Sequence, residues 1–286
     1  MGKETLRGSL LMVLAMAAFA LEDMFLKSAA AALPVGQILI LFGLGGMVIF
    51  AALARAQGQS AWHPDFRTRA MLLRSVSEVI GRLCFTLAIA LTPLSSASAI
   101  LQATPLVVAA GAVVFFGETV GPRRWLAIGL GFVGVLLILR PGLSGFEPAS
   151  LFAVLGTLGF AGRDLATRAA PKDMSNSQLG FLGFAMLVVA GVMALGWTGG
   201  ANWPAPRQWL DLGAATVIGV LAYNALSGAM RAGEISVIAP FRYTRLIFAM
   251  VLGVLVFGER PDLMTLIGSA VIVGSGVFTL LRSAKA

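Results

Sequence analysis

A run of apolar residues long enough to cross a bilayer recurs about ten times along this chain. The runs fall at roughly 8–32, 35–54, 68–91, 94–117, 122–139, 149–169, 177–197, 207–231, 234–257 and 261–281. A helix needs about 20 apolar residues to cover roughly 30 Å of hydrocarbon. Ten such helices account for most of the 286 residues, leaving short loops and no room for a separate soluble domain. Charged residues make up 12% of the chain, against about 25% in soluble domains. The segment Met1–Arg7 is charged and precedes an apolar run, as in a signal peptide. That run continues to about Ala32 without a clear cleavage site, so it is read as the first transmembrane helix.

Prolines punctuate the runs. Pro34, Pro93, Pro122, Pro141, Pro171 and Pro261 fall at joints, where a residue lacking its N–H belongs. Pro105 and Pro240 fall inside the fourth and ninth spans and predict kinks or breaks there. With the N-terminus on the cytoplasmic side, 12 Lys and Arg residues lie in cytoplasmic segments and 4 on the opposite side. That excess predicts cytoplasmic N- and C-termini in a multi-pass protein of the plasma membrane, the inner membrane of a bacterium. The same rule accounts for the net charge of +8, so no nucleic-acid partner is expected; the partners expected are the lipid bilayer and a small-molecule substrate. Cys84 is the sole cysteine and His63 the sole histidine, which argues against a zinc site of the usual ligand types. Neither a metal nor a cofactor is expected.

One half of the sequence maps onto the other by a shift of 141 residues. Phe19-Ala20 meets Phe160-Ala161, Asp23 meets Asp164, Lys27 meets Arg168, Gln37 meets Gln178, and Trp62 meets Trp203. Phe116-Gly117-Glu118 meets Phe257-Gly258-Glu259, after which a two-residue slip aligns Gly129 with Gly268. Such a register predicts a duplicated unit, with residues 1–142 and 143–286 as the two copies. An odd number of five spans per unit makes the second copy enter from the other side of the membrane. The expected fold is an all-α membrane protein of ten transmembrane helices, built as two inverted five-helix repeats. Inverted repeats supply two nearly equivalent states around a site near the midplane, which is the arrangement of alternating access.

Several motifs sit at matching places in the two copies. Leu-Thr-Pro-Leu-Ser-Ser-Ala-Ser-Ala (91–99), Phe-Phe-Gly-Glu (115–118) and Gly-Leu-Gly-Phe-Val-Gly-Val-Leu-Leu-Ile-Leu-Arg-Pro-Gly (129–142) mark the first. Ile-Ser-Val-Ile-Ala-Pro (235–240), Val-Phe-Gly-Glu-Arg (256–260) and Leu-Ile-Gly-Ser-Ala-Val-Ile-Val-Gly-Ser-Gly (266–276) mark the second. With these motifs the whole chain resembles the EamA family of the drug/metabolite transporter superfamily. The resemblance implies a transporter whose central cavity is lined mainly by spans three, four, eight and nine, with one and six contributing. It implies a substrate among amino acids and metabolites such as S-adenosylmethionine or riboflavin.

Charged residues inside membrane spans are costly and mark functional sites. Span three carries Arg74, Glu78 and Arg82 at four-residue steps, which places them on one helical face. That face lines either a substrate cavity or a self-satisfied salt-bridge ladder. The repeat puts Tyr223 opposite Arg82, an asymmetry better suited to substrate recognition than to architecture. Arg242, Tyr243 and Arg245 follow Pro240 in span nine, where two guanidiniums beside a loosened segment can hold an anionic group. Gln102, Tyr223 and Asn224 add neutral donors and acceptors. The candidate substrate-binding residues are therefore Glu78, Arg82, Gln102, Tyr223, Asn224, Arg242, Tyr243 and Arg245. Asp23 with Lys27, and Asp164 with Arg168, form acid-then-base pairs four residues apart. At opposite ends of inverted repeats they are candidates for gating or coupling, with interfacial anchoring as the alternative. Glu22 and Arg163 sit beside them, and Glu118 and Glu259 occupy corresponding span ends as candidate caps or loop ties.

These features favour a secondary transporter that moves a small polar or amphipathic metabolite. An anionic or zwitterionic substrate suits the arginine-rich lining. No GxxxxGK[ST] loop supports direct use of ATP. An intramembrane enzyme is the second reading, but the chain lacks HExxH, GxSxG and a paired nucleophile and base. A non-transporting scaffold or sensor is the third, and it has no need for inverted repeats. Small residues in spans one, five and ten suit close packing within a monomer or between subunits of a homodimer.

Overall fold

The computed structural model describes residues 3–116, 121–140, 147–167, 173–231 and 239–283. Among these residues all regular secondary structure is helical. The elements are α1 (Lys3–Ala30), α2 (Val35–Ala56), a 3-10 turn (Pro64–Arg67), α3 (Arg69–Leu91), α4 (Leu94–Leu101), α5 (Thr104–Phe116), α6 (Pro122–Leu139), α7 (Ser150–Thr167), α8 (Asn176–Thr198), α9 (Pro206–Arg231), a second 3-10 turn (Ala239–Tyr243), α10 (Thr244–Phe257) and α11 (Leu263–Ser283). Among the described residues, five stretches are long and apolar enough to cross a membrane: Leu6–Ala30, Val35–Ala56, Leu94–Phe115, Asn176–Thr198 and Pro206–Ala229. Helices α3 and α7 do not join them because of their charges: Arg74, Glu78 and Arg82 recur along α3, and Arg163 with Asp164 lower the hydropathy of α7, which has only 18 residues.

Local chemistry explains the boundaries. Pro34 and Pro93 precede α2 and α4 as their N-caps, and Pro122 and Pro206 open α6 and α9, where a missing N–H costs no helical hydrogen bond. Pro141 and Pro171 lie outside the described residues. The two prolines inside spans do break them. Span four divides into α4 and α5 around Gln102–Ala103, with Pro105 in the first turn of α5, and Pro240 lies in the 3-10 turn that leads into α10. The breaks fall at positions related by the repeat, since Gln102 and Tyr243 are 141 residues apart.

The helix pairing repeats the duplication. The most extensive contacts join α1 with α9, α3 with α7, α2 with α8, and α6 with α11. Exchanging the halves turns the first pair into the second and leaves the other two unchanged, so the two units meet about a pseudo-two-fold axis. At the α6–α11 contact the backbones touch. A Cβ placed on Gly134 would lie 2.8 Å from the Gly268 carbonyl oxygen, and one on Gly268 would lie 2.7 Å from that of Gly134. Phe184 of α8 packs between Phe42 and Phe50 of α2, at ring separations of 5.1 and 5.5 Å.

Polarity is distributed as a bilayer requires. Outward side chains are apolar: Val48 is 69% exposed, Phe115 74% and Leu255 77%. Meanwhile Glu22 and Asp23 are fully buried, and Arg74 and Glu78 nearly so. A water-soluble protein would place these two sets the other way round.

Candidate functional site

Buried and partly buried charges from both halves meet between the helices and form two groups. In the first, α1 supplies Glu22 and Asp23. Arg82 of α3 donates to Glu22 Oε1 at 2.8 Å, and Arg245 of α10 donates to Asp23 Oδ2 at 2.6 Å. Aromatic rings enclose both guanidiniums. Arg245 lies 5.1 Å from the Phe19 ring centre and 5.6 Å from that of Phe85, while Arg82 lies 5.6 Å from Phe42 and 5.9 Å from Phe160. Each such contact contributes about 2 kcal/mol when desolvated. Satisfaction is incomplete, because among the described residues Glu22 Oε2, Asp23 Oδ1, Arg82 Nε and Arg245 Nε have no hydrogen-bond partner. A buried, partly unsatisfied ion pair is costly in itself, which makes it a poor device for stability alone.

The second group is a chain of alternating charge. Arg74 lies 3.9 Å from Glu78 on α3, and Arg163 of α7 reaches the other oxygen of Glu78 at 3.5 Å. Arg163 also donates to Asp164 Oδ1 from Nε and Nη2, at 3.0 and 2.8 Å. Asp164 Oδ2 in turn faces Arg242 at 3.8 Å. Arg74 is held further by Thr167 Oγ1 at 3.2 Å. The span-three ladder is therefore only half internal: Arg74 and Glu78 interact along the helix, while Arg82 pairs across to α1.

The repeat explains how one contact serves both groups. Glu22 and Arg163 occupy equivalent positions, as do Gly219 and Glu78. Where α7 presents Arg163, its partner α3 supplies the carboxylate of Glu78. Where α1 presents Glu22, its partner α9 has Gly219, whose added Cβ would lie 2.9 Å from Glu22 Oε2. At these two equivalent contacts there is thus one carboxylate each, Glu22 in one and Glu78 in the other.

The two span breaks meet beside these groups. Gln102 Nε2 donates to the Arg242 carbonyl at 3.2 Å, joining the break in one half to the break in the other. Tyr243 is buried with a hydroxyl that has no partner among the described residues, as is Ser98 of α4. Tyr223 packs its ring edge-on against Phe50, with centres 5.4 Å apart. Asn224 stands apart: it is exposed, and its amide returns to Val220 O of its own helix at 2.9 Å.

The expected pairing of Asp23 with Lys27 is not formed. Arg245, 222 residues away, takes Asp23. Lys27 instead donates to the carbonyls of Ile89 and Thr92 at 2.8 and 2.6 Å, at the C-terminal end of α3, and lies 3.8 Å from Glu259. Glu259 accepts from the Leu94 and Ser95 amides at 2.5 and 3.0 Å and from Ser95 Oγ at 2.8 Å, which caps α4. Its reading as a cap holds, but across the fold rather than at its own span end. Arg168 and Glu118 lie outside the described residues, so Asp164 is seen here only with Arg163 and Arg242. A pocket of about 220 Å³ lies beside Glu259, lined in part by Ser95, Ser96, Arg140, Glu147 and Asp262. Asp262 caps α11 through the Thr265 amide at 2.8 Å. It also bonds Arg140, and these contacts hold its carboxyl down at about 2.

Sequence reasoning left out the phenylalanine cage and Gly219. The repeat carried a signal for both, since it aligns Phe19 with Phe160 and sets a glycine opposite Glu78. It also missed Asp211, a buried carboxylate in the second turn of α9 that accepts from Ser28 Oγ at 2.9 Å.

Comparison with known proteins bears on the family and the fold. The profile of the EamA-like transporter family matches the chain twice, at residues 6–140 and 148–281. An S-adenosylmethionine uptake transporter of Rickettsia bellii is 26% identical, over 75% of this chain and 73% of its own. The pseudopaline exporter CntI of Pseudomonas aeruginosa is 28% identical, over 93% of each chain. A riboflavin transporter of Vibrio cholerae is 30% identical, over 77% of this chain and 71% of its own. A solved crystal structure has the same fold, with a TM-score of 0.65 at 18% identity over 98% of this chain and 99% of that one.

Proposed function

This chain belongs to the EamA-like transporter family, and from that premise we propose that it carries a small polar or amphipathic metabolite across the bacterial inner membrane by alternating access. It is a membrane transporter rather than an enzyme. The substrate is an amino acid or a metabolite of the kind its relatives carry, such as S-adenosylmethionine or riboflavin. The observation that carries this reading is the pair of buried charge groups built jointly by the two halves. Ions whose pairing bridges the units give the protein contacts that a solute can replace.

The architecture proposed is ten spans in two inverted units, divided near residues 142–143, with both termini cytoplasmic. The two separate profile matches and the pseudo-two-fold helix pairing support it. Glu78, Arg82, Gln102, Tyr223, Arg242, Tyr243 and Arg245 line the path, with Asn224 on its outer margin. Lys27 gates one end through Glu259, and Asp23 couples to the site through Arg245. Asp164 with Arg168 is the corresponding gate of the second unit.

Reconstituted vesicles test the reading. Vesicles preloaded with one candidate metabolite should accumulate its radiolabelled form by exchange, and empty-loaded vesicles should not. Absence of exchange across amino acids, S-adenosylmethionine and riboflavin would remove this reading.

A further inference from the structure

The two buried charge groups are balanced differently. In the first, Glu22 with Arg82 and Asp23 with Arg245 form two closed pairs, each at hydrogen-bond distance. In the second, three arginines, Arg74, Arg163 and Arg242, share the two carboxylates of Glu78 and Asp164. That series begins and ends on a cation, so among the described residues it lacks one negative charge.

The deficit falls at Arg242. Asp164 is already engaged at Oδ1 by two nitrogens of Arg163, at 3.0 and 2.8 Å. Arg242 meets only the opposite oxygen, at 3.8 Å, beyond hydrogen-bond length. The other end of the series differs. Arg74 is 3% exposed and sealed among Glu78, Thr167 and the Leu179 carbonyl, so no solute reaches it without rearrangement. The side chain of Arg242 is 31% exposed and that of Asp164 25%, making this the accessible end. The backbone of Arg242 is meanwhile fixed, because its carbonyl accepts from Gln102 at the break in the other half.

The geometry points to Arg242 as the anchor for a carboxylate carried by the substrate, an inference that rests on the transport reading and specifies its chemical class. A carboxylate supplies the missing charge and matches the planar fork of a guanidinium with two parallel hydrogen bonds. Asp164 Oδ2 accepts no hydrogen bond among the described residues and lies 3.8 Å from Arg242 on a partly exposed side chain, so it can take an ammonium or hydroxyl of the same molecule. The substrate class is therefore a carboxylic acid with a neighbouring donor, α-amino acids included.

The test uses purified full-length protein in detergent and matched probes: a panel of α-amino acids and hydroxy acids, each beside its own primary amide. Binding to the folded state raises the melting temperature. Among the acids, at least one should raise it in the millimolar range, while its amide should do so at least about tenfold less effectively. Arg242→Gln should abolish the difference, and Arg242→Lys should retain a weakened response because it keeps the charge and loses the fork. If acids and amides act alike, or no acid outperforms its amide, the inference is overturned. It is equally overturned if Arg242→Gln responds as the unaltered protein does. Should Arg242→Gln fail to fold, Arg242→Lys carries the comparison, and an unweakened acid response there overturns the fork. Solute exchange in vesicles separates this from transport itself. Exchange of neutral solutes alone keeps the transporter and removes the carboxylate site, whereas acid binding through Arg242 without exchange does the reverse.

Discussion

Lys27 and Glu259 stand 3.8 Å apart, and each closes the end of a different helix. Lys27 holds the carbonyls that end α3, and Glu259 holds the amides that begin α4. The charges complement the two helix dipoles and each other, so one contact ties α1, α3, α4 and the end of α10 together. Glu259→Gln removes the charge from this knot while preserving its shape. We expect the melting temperature to fall, as for loss of a cap contributing about 1–2 kcal/mol. In a Cys84→Ser background, a cysteine placed by Ser96→Cys should react faster with a membrane-impermeant maleimide once Glu259 is neutral. Equal labelling rates would show that the contact does not hold this end closed.

Arg82→Ala should abolish transport while the protein still inserts into the membrane. The cost to stability is about 3–5 kcal/mol, because the substitution leaves Glu22 buried without its partner. Loss of folding and loss of function are separated by adding Glu22→Gln to Arg82→Gln. That double variant removes both charges and should recover the melting temperature without recovering exchange. Exchange at the unaltered rate in the double variant would make the pair architectural.

Charge exchange distinguishes the pairing observed from the one that spacing suggests. Arg245→Asp places two carboxylates together in an apolar cage and should destabilise the protein strongly. Adding Asp23→Arg restores opposite charges at the same contact and should recover most of the melting temperature. Exchanging Asp23 with Lys27 should rescue nothing, since each would leave its actual partner, Arg245 or Glu259. Double-variant cycles on the two pairs measure the coupling, and a larger coupling energy for Asp23 with Lys27 would contradict the structure.

These contrasts show which features a sequence carries. The duplication was legible because it is a constant shift; both span breaks were legible from Pro105 and Pro240, and the shift makes Gln102 and Tyr243, which lie at the breaks, equivalent. The buried charges were legible as a class, since apolar spans make each arginine conspicuous. Partners were not. A four-residue interval between Asp23 and Lys27 describes an isolated helix, whereas in the bundle the choice fell to residues brought in by other helices. Asn224 shows the same limit at finer scale. It follows Tyr223, but adjacent residues on a helix diverge by about 100°, so one faces Phe50 while the other turns outward.

Asp262 gives the fold a defined response to acid. Its hydrogen bonds with Arg140 and with the Thr265 amide pull its pKa from an ordinary 3.8 down to about 2. The folded state therefore binds this proton more weakly than the unfolded state does. The contribution is complete above the ordinary value and disappears as pH falls from there through about 2. Its size is small, because the Asp262 side chain is 51% exposed and solvent screens the pair. Asp262→Asn should lower the melting temperature at neutral pH by a few degrees at most and flatten the fall between pH 4 and 2 that this carboxylate adds. The comparison is a pair of melting curves across that window, with the buried charge groups common to both proteins. Parallel acid profiles for the variant and the unaltered protein would assign the acid response of this end to other groups.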